Sequence, residues 1–388
     1  MSNRLLNRKE SGSIRPEALT IHLALSPFSR IFAAMSTEKK NIRQLSLNEL
    51  ELYFEALGEK KFRTKQIYEW LWKKHAHSFE EMTNLSKELR TKLTDNFSLP
   101  ALTIDATQHS SDGTIKTRFK THDNHLVEGV LIPTESRYTA CVSSQIGCSL
   151  SCKFCATGYM DRKRNLDFDE IYDEAVLINQ QTEKTYGKKL SNIVFMGMGE
   201  PLLNYKNVLK AIEKITSPDG LGMSARRITV STAGVSKMIR QLGDDKVKFN
   251  LALSLHATND LKRNEIMPIN ETNNIKTLVD SLNYFYQQTG SSITFEYILF
   301  KDFNDSIKDA EELIKIFRQV PADLVNIIEY NSIDAALFQK PDDEKVERFM
   351  NHLSKAKVNA HLRRSRGKDI DAACGQLANK TDRTLISQ

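Results

Sequence analysis

Apolar residues recur along the chain with two different periods, and the change between them divides the sequence into regions. From residue 43 to 97 they follow helical spacing, in LSLNELELYFEALG after a candidate cap at Ser46 and again in FRTKQIYEWLWKKH. Residues 113–133 instead alternate on either side of Asp123-Asn124, which predicts a β-hairpin. A helical module followed by a hairpin is therefore expected before residue 134.

Short apolar runs rich in β-formers then recur six times, with helical stretches such as DFDEIYDEAVLINQQ between them. The runs are YTACV (138–142), NIVFM (192–196), RITVS (227–231), NLALSLH (250–256), ITFEYILF (293–300) and LVNIIEY (324–330). Alternating strands and helices predict a parallel α/β sheet. Six units favour a partial (β/α)6 barrel over a closed eightfold one, with the chemistry at the carboxyl ends of the strands.

Composition adds limits on the class of protein. The 388 residues are 40% hydrophobic and 27% charged, as in an ordinary globular protein. No apolar run approaches the ~20 residues that span a bilayer, so no membrane partner is expected. The net charge of +6 is compatible with a nucleic-acid partner, and basic residues surround the aromatic residues of the second helical stretch.

The first 34 residues stand apart from the rest. They carry four arginines against two glutamates, and Met35 opens MSTEKK like a natural start. A basic leader can be a transit peptide, but an upstream start or a disordered tail is the preferred interpretation. The expected divisions are a leader (1–34), a helical RNA-binding accessory domain (35–105), a β-hairpin extension (106–133), the barrel (134–369) and a C-terminal tail (370–388).

Three of the five cysteines form the motif C-x3-C-x2-C. Cys148, Cys152 and Cys155 lie in the loop after the first predicted barrel strand. Closely spaced thiolates in a reducing compartment indicate a metal site. Structural zinc needs a fourth ligand, which Cys141, Cys374 or a histidine could supply, whereas three thiolates also suit a [4Fe–4S] cluster with one open iron. Spacing alone leaves both open.

Further polar motifs follow the other predicted strands. GMGEP (197–201) follows the second strand, STAG (231–234) the third, SLHA (254–257) ends the fourth, and Asn331 ends the sixth. In GMGEP, two glycines allow close approach of the backbone and Glu200 supplies negative charge. All of these motifs fall at carboxyl ends of strands, where the architecture requires a site.

The three-cysteine motif, with Phe154 before its last cysteine, resembles that of the radical S-adenosylmethionine (SAM) superfamily. With the VSSQIGC lead-in and the tail DIDAACGQLA, residues 36 to 380 resemble the family of dual-specificity adenosine carbon-2 methyltransferases. The resemblance implies methylation of 23S rRNA at the peptidyl-transferase centre and of tRNA at the adenosine 3′ of the anticodon.

The same resemblance implies roles for individual residues. It implies that the cluster ligands are Cys148, Cys152 and Cys155. The implied SAM site consists of Gly199, Glu200, Ser231, Ser254, Leu255, His256 and Asn331. Cys374 is the implied methyl carrier, Cys141 the thiol that resolves the intermediate by forming a disulfide with Cys374, and Glu128 the acceptor of the carbon-2 proton.

The resemblance also implies a chemical logic and a set of partners. Carbon 2 of adenine is electrophilic and cannot attack a methyl donor directly, so a methyl group is first placed on a thiolate. A second SAM then yields a 5′-deoxyadenosyl radical, and a covalent protein–RNA adduct forms. The implied cofactors are one [4Fe–4S] cluster and two SAM per turnover. The expected enzyme is a cytoplasmic monomer that receives electrons from flavodoxin or ferredoxin.

Two alternatives remain at this level. A carbon-8 adenosine methyltransferase that confers antibiotic resistance would share the cluster and both additional cysteines, and nucleoside mass spectrometry separates the two products. A non-catalytic iron–sulfur or zinc protein that binds RNA would contain a fourth protein ligand and would not cleave SAM.

Overall fold

The computed structural model describes residues 39–380, and the leader predicted at residues 1–34 lies outside them. The helices are α1 (Leu47–Ala56), α2 (Phe62–Trp72), α3 (Lys87–Asn96), α4 (Phe168–Tyr186), α5 (Tyr205–Thr216), α6 (Ser236–Asp244), α7 (Asp260–Ile266), α8 (Ile275–Thr289), α9 (Ile307–Gln319) and α10 (Asp343–Lys355). The strands are β1 (Lys40–Asn41), β2 (Phe97–Ser98), β3 (Thr103–His109), β4 (Ile115–Lys120), β5 (Leu126–Pro133), β6 (Tyr138–Cys141), β7 (Gln145–Ile146), β8 (Arg164–Asn165), β9 (Asn192–Phe195), β10 (Ile228–Thr232), β11 (Asn250–Ser254), β12 (Ile293–Leu299), β13 (Leu324–Glu329) and β14 (Ala360–Arg363).

One ten-stranded sheet organises the molecule, in the order β14-β13-β12-β11-β10-β9-β6-β5-β4-β3. Strands β6 and β9 to β14 are parallel, and Cys141 of β6 pairs with Val194 of β9. The six predicted barrel strands are all present, which confirms the α/β class. Within residues 39–380 the two ends of the sheet do not pair, so the barrel is open.

A seventh parallel strand, β14, was not predicted. It pairs with β13 through Val325 and Ala360. Its sequence, AHLR, spans four residues of which none is fully buried. A strand this short and exposed has no apolar run from which a sequence pattern could identify it.

The predicted hairpin is confirmed and continues the barrel sheet. Strands β4 and β5 are antiparallel, and Lys120 pairs with Leu126 across a turn in which Asn124 has φ 64°. Asparagine tolerates this left-handed conformation better than most residues. Strand β3, which was not predicted, adds a third antiparallel strand, and Val130 of β5 pairs with Cys141 of β6.

The N-terminal helices are fixed to the barrel by buried contacts. Helix α1 begins with the predicted cap, a reciprocal capping box between Ser46 and Glu49. Just before it, Arg43 forms buried ion pairs with Asp169 (3.2 Å) and Asp173 (2.6 Å) of α4. Because Arg43 and the two aspartates are buried and paired with one another, they hold the helical module against α4 in one position.

Trp72 provides the apolar part of the same attachment. Its indole, 1% exposed, stacks on Phe168 of α4 at 5.8 Å between ring centroids. Its carbonyl accepts a hydrogen bond of 2.7 Å from the Tyr172 hydroxyl. One continuous apolar core thus joins the helical module to the sheet. Among the described residues, no helix combines the length and hydrophobicity needed to cross a bilayer.

Candidate functional site

The cysteine loop lies between β7 and a short 3-10 turn (Ala156–Tyr159), at the carboxyl edge of the parallel sheet. Its three cysteines line one cavity, which is open to solvent and has a volume of about 890 Å³ when the solvent at its mouth is included. Ser151, between the first two, has φ 53°. Burial raises the pKa of Cys148 to about 11 and also raises the pKa values of Cys152 and Cys155. Three thiols in one desolvated loop need a cation to become thiolates, which is what a metal centre provides.

The spacing of the sulfurs distinguishes between kinds of metal centre. Ligands of one tetrahedral zinc, with Zn–S bonds of about 2.3 Å, lie roughly 3.8 Å apart. Within residues 39–380, the only group of three or more residues whose ligand-type atoms all lie within 4.8 Å of one another is His122, Asp123 and Glu170, so the three cysteine sulfurs are spread more widely than this. The three cysteines therefore fit a larger multinuclear group better than a single ion.

The GMGEP segment forms the turn after β9 and brings Glu200 into the cavity. Gly199 has φ 92°, and a Cβ there would lie 2.5 Å from Gln145 Cβ, so the turn requires glycine. Glu200 is 3% exposed and accepts hydrogen bonds from Ala233 N (2.7 Å) and Leu202 N (3.0 Å). Burial raises the pKa of Glu200 to about 7. A buried carboxylate whose donors, two backbone amides and the Thr232 hydroxyl, are all neutral favours a ligand that brings an amino group or positive charge.

His256, just after β11, presents a neutral imidazole to the cavity. Its backbone has φ 53°, a strained conformation for histidine of the kind found at functional sites. Nδ1 accepts a hydrogen bond from Ile298 N at 3.1 Å, and burial lowers the pKa of His256 to about 3. This hydrogen bond assigns the proton to Nε2, which makes that atom a donor to a ligand.

Most of the remaining predicted SAM residues share this cavity. Gly199, Ser231 and Ser254 line it, and the two serine hydroxyls are 3.4 Å apart. Leu255 and Asn331 lie beside it without lining it. The Leu255 carbonyl accepts from Arg263 Nε (3.0 Å), and Asn331 Nδ2 donates to the Cys374 carbonyl (3.3 Å).

Cys374 reaches the same cavity on the C-terminal tail. The tail is bound to the cysteine loop by a hydrogen bond from Ala156 N to the Gly375 carbonyl (2.7 Å) and another from Thr157 Oγ1 to the Leu377 carbonyl (2.7 Å). Burial raises the pKa of Cys374, while the cationic Arg363 lowers it. A thiol distant in sequence thus faces the cavity that the cysteine loop forms.

The other two predicted catalytic residues lie outside the cavity lining. Cys141, 7% exposed at the end of β6, is a free thiol, and its pKa is raised by burial and by the neighbouring Cys374. Glu128 of β5 is 2% exposed, and its carboxylate binds the tail amides of Ala378 (2.9 Å) and Asn379 (3.1 Å). All five cysteines are free thiols in this structure.

Two charged residues of the site were not predicted from the sequence. Glu296 of β12, 4% exposed, lines the cavity, accepts from Asn326 Nδ2 (2.7 Å) and pairs with Arg363 (3.3 Å). The alternation of ITFEYILF could have indicated that Glu296 faces inward, since the carboxylate interrupts a buried strand.

Arg263 is the second, and it was missed because it carries no motif. It is fully buried and donates to the carbonyls of Leu255 (3.0 Å), Ala233 (2.6 Å) and Ser254 (3.1 Å) and to Asn270 Oδ1 (2.8 Å). One guanidinium with five donors can join several carbonyls in this way. Arg263 therefore connects the segments at the carboxyl ends of β10 and β11.

An open parallel barrel with a three-cysteine loop at its carboxyl edge defines a radical SAM protein. The sequence profile of the Radical SAM superfamily matches residues 142–315, and that of the ribosomal RNA large subunit methyltransferase N-terminal domain matches residues 40–99. The chain belongs to the RlmN family, whose members are named dual-specificity RNA methyltransferases.

Relatives match over nearly their whole length. A probable dual-specificity RNA methyltransferase RlmN of Cytophaga hutchinsonii is 60% identical over 90% of this chain and 97% of that protein. One from Christiangramia forsetii is 54% identical over 90% of this chain and 99% of that protein. The crystal structure of a radical SAM methyltransferase from Sphaerobacter thermophilus superposes with a TM-score of 0.82 at 39% identity, covering 87% of this chain and 99% of that one.

Proposed function

We propose that this protein is a radical SAM methyltransferase that methylates carbon 2 of adenosine in 23S rRNA and in tRNA. The observation that carries the proposal is that Cys374 and the three-cysteine loop line one cavity. The names of its relatives, dual-specificity RNA methyltransferases, support an RNA substrate. We propose a cytoplasmic location, because rRNA and tRNA are found there.

The cavity residues fit the group that the family implies. Cys148, Cys152 and Cys155 would hold a [4Fe–4S] cluster, and Glu200 would accept the amino group of SAM. When bound, the cluster and SAM supply one-electron cleavage chemistry and the methyl group. We propose two SAM per turnover, because the methyl group and the hydrogen-abstracting group come from different molecules.

The additional cysteines complete the cycle. Cys374 Sγ accepts the methyl group, and Arg363 favours its thiolate, the nucleophilic form. After the carbon on Cys374 has become bonded to carbon 2 of the adenosine, the thiolate of Cys141, which interacts electrostatically with Cys374, attacks the Cys374 sulfur. The S–S bond forms as the S–C bond breaks, and the released carbon keeps the electron pair and takes up a proton to become the methyl group of the RNA. An external reductant returns the resulting disulfide to two thiols. Glu128 is the proposed acceptor of the carbon-2 proton.

We propose a separate role for each region of the chain. The helical module of residues 35–105 contacts RNA, the hairpin extension of residues 106–133 carries Glu128, the barrel of residues 134–369 holds the cofactors, and the tail of residues 370–388 carries Cys374. The enzyme is proposed to act as a monomer and to receive electrons from flavodoxin or ferredoxin. The adenosine has to leave the base stack to reach a buried thiol.

Nucleoside mass spectrometry of rRNA and tRNA tests this function. A strain lacking the protein is expected to lose 2-methyladenosine from both RNAs, and the wild-type gene restores it. A Cys374→Ala gene, which keeps the cluster ligands, is the matched control that fails to restore it. An 8-methyladenosine product, or purified protein with zinc in place of iron, would refute the assignment.

A further inference from the structure

The segment that leads from β14 into the C-terminal tail runs along the open edge of the sheet. It reaches the loop between β3 and β4, where Gly367 N donates to Asp112 Oδ2 (2.9 Å). Two residues on, the Asp369 carboxylate accepts from Ser110 Oγ (2.6 Å) and Ser111 N (3.0 Å). The tail is therefore fixed to the hairpin extension before it reaches the cavity.

Beyond the cavity the tail is fixed a second time, and here Glu128 is the anchor. Glu128 Oε2 accepts from Ala378 N (2.9 Å) and Asn379 N (3.1 Å), while Oε1 faces Lys116 Nζ at 3.6 Å. Asn379 Nδ2 also donates to the Leu126 carbonyl at 2.7 Å. Two backbone donors and one ammonium thus surround a carboxylate that is 2% exposed.

These contacts are at odds with a carboxylate that is ready to act as a base. A general base needs a free lone pair within hydrogen-bond reach of the proton that it removes. Glu128 does not line the cavity, and both of its oxygens already face donors. The contacts that Glu128 makes in the structure instead bind the tail.

Glu128 binds the tail at a point close to Cys374 along the chain. Only three residues separate Cys374 from Ala378, and one of them, Gly375, has φ 83°, a sharp turn that favours glycine. Between these points the Gly375 and Leu377 carbonyls are held by the cysteine loop. Because this segment is short and constrained, loss of the hydrogen bonds between Glu128 and residues 378 and 379 is expected to change the position of Cys374.

We propose that Glu128 is a positioning residue, which holds the tail so that Cys374 faces the cavity before RNA arrives. For Glu128 to act as the base as well, the Ala378 and Asn379 amides must first leave its carboxylate. This inference rests on the proposed function for the identity of the substrate, but the anchoring of the tail is measurable without RNA.

Hydrogen exchange in the anaerobically prepared holoenzyme tests the anchoring. Glu128→Ala is expected to raise amide exchange of Ala378 and Asn379 roughly tenfold or more, because two charge-assisted hydrogen bonds are lost. Glu128→Gln keeps an acceptor oxygen and is expected to give an intermediate increase. Glu135→Ala, which removes an exposed carboxylate that follows the same hairpin, is the matched control and leaves exchange unchanged.

Methylation of Cys374 provides a second readout that does not involve the carbon-2 proton. Mass spectrometry of the holoenzyme incubated with SAM is expected to find Cys374 methylated several-fold more slowly in Glu128→Ala than in the control. A residue that acts only as the base predicts wild-type exchange and wild-type methylation of Cys374 in this variant, and that result overturns the proposal.

Glu128→Gln also covers the case in which Glu128→Ala does not fold. It replaces the carboxylate by an amide of nearly the same shape and weakens both bonds to the tail amides, so exchange at residues 378 and 379 is still expected to rise. Unchanged exchange in this variant also overturns the proposal. If exchange changes as expected while the RNA product is not 2-methyladenosine, the anchoring stands and the proposed function falls.

Discussion

Glu200 gives the site a pH dependence that can be worked out from the structure. Burial raises its pKa to about 7, and its partners, Ala233 N, Leu202 N and the Thr232 hydroxyl, are all neutral. A ligand amino group beside the carboxylate favours its ionised form, so ligand binding and loss of the Glu200 proton are coupled. The affinity for SAM is therefore expected to rise with pH through 7 and to level off above it.

The magnitude follows from the ionised fraction. With a pKa of about 7, roughly one tenth of Glu200 is ionised at pH 6 and roughly nine tenths at pH 8. The contribution of Glu200 to SAM affinity should thus increase about tenfold across this interval. Glu200→Gln has nearly the same shape and cannot ionise, so the wild-type to variant ratio of affinities isolates this contribution from the titration of SAM itself.

Isothermal titration calorimetry of SAM into both reconstituted proteins at pH 6, 7 and 8 measures the ratio. At pH 8 the variant is expected to bind roughly 10- to 100-fold more weakly, since one charge-assisted hydrogen bond contributes about 1.5–3 kcal/mol. Thermal unfolding of the ligand-free proteins checks folding. A ratio that stays constant from pH 6 to pH 8 would refute the assignment of the ligand amino group to Glu200.

Other substitutions test separate parts of the site. Cys141→Ala is expected to accumulate RNA bound covalently to Cys374, visible as a nuclease-sensitive shift in a denaturing gel, and clean turnover would show that Cys141 resolves nothing. Adding Cys374→Ala to that variant is expected to abolish the shifted species, and a shift that persists would locate the bond elsewhere. Arg263→Met is expected to lower the free energy of unfolding by about 3 kcal/mol, because three backbone carbonyls lose a buried donor. Arg263→Lys is expected to lose less free energy of unfolding. Equal unfolding midpoints of wild type and Arg263→Met would contradict the stabilising role of Arg263.

Local patterns predicted the elements that depend on local chemistry. The six barrel strands, the hairpin at Asn124 and the Ser46 cap each follow from periodicity or from a turn residue, and the structure contains all of them. The cysteine loop and the GMGEP turn were also predicted at the carboxyl edge, since parallel strands bring their ends together.

Contacts between distant segments could not be predicted in this way. Arg263 joins carbonyls from two different strand ends, and its own sequence context is an ordinary helix. Glu128 was identified through a family resemblance, but its binding to Ala378 and Asn379 depends on where the tail crosses the sheet. Such pairings are set by tertiary packing, and no period or spacing in the sequence encodes them.

The buried attachment of the N-terminal module has a consequence for how one enzyme could serve two RNAs. Arg43 between two aspartates and Trp72 stacked on Phe168 leave the module no hinge at this junction. The distance between the module and the cavity is therefore fixed. An RNA that contacts both must have its adenosine at that distance from the site where it contacts the module. Two RNAs of different overall shape would be modified by the same enzyme only where each offers an adenosine at that distance from its point of contact.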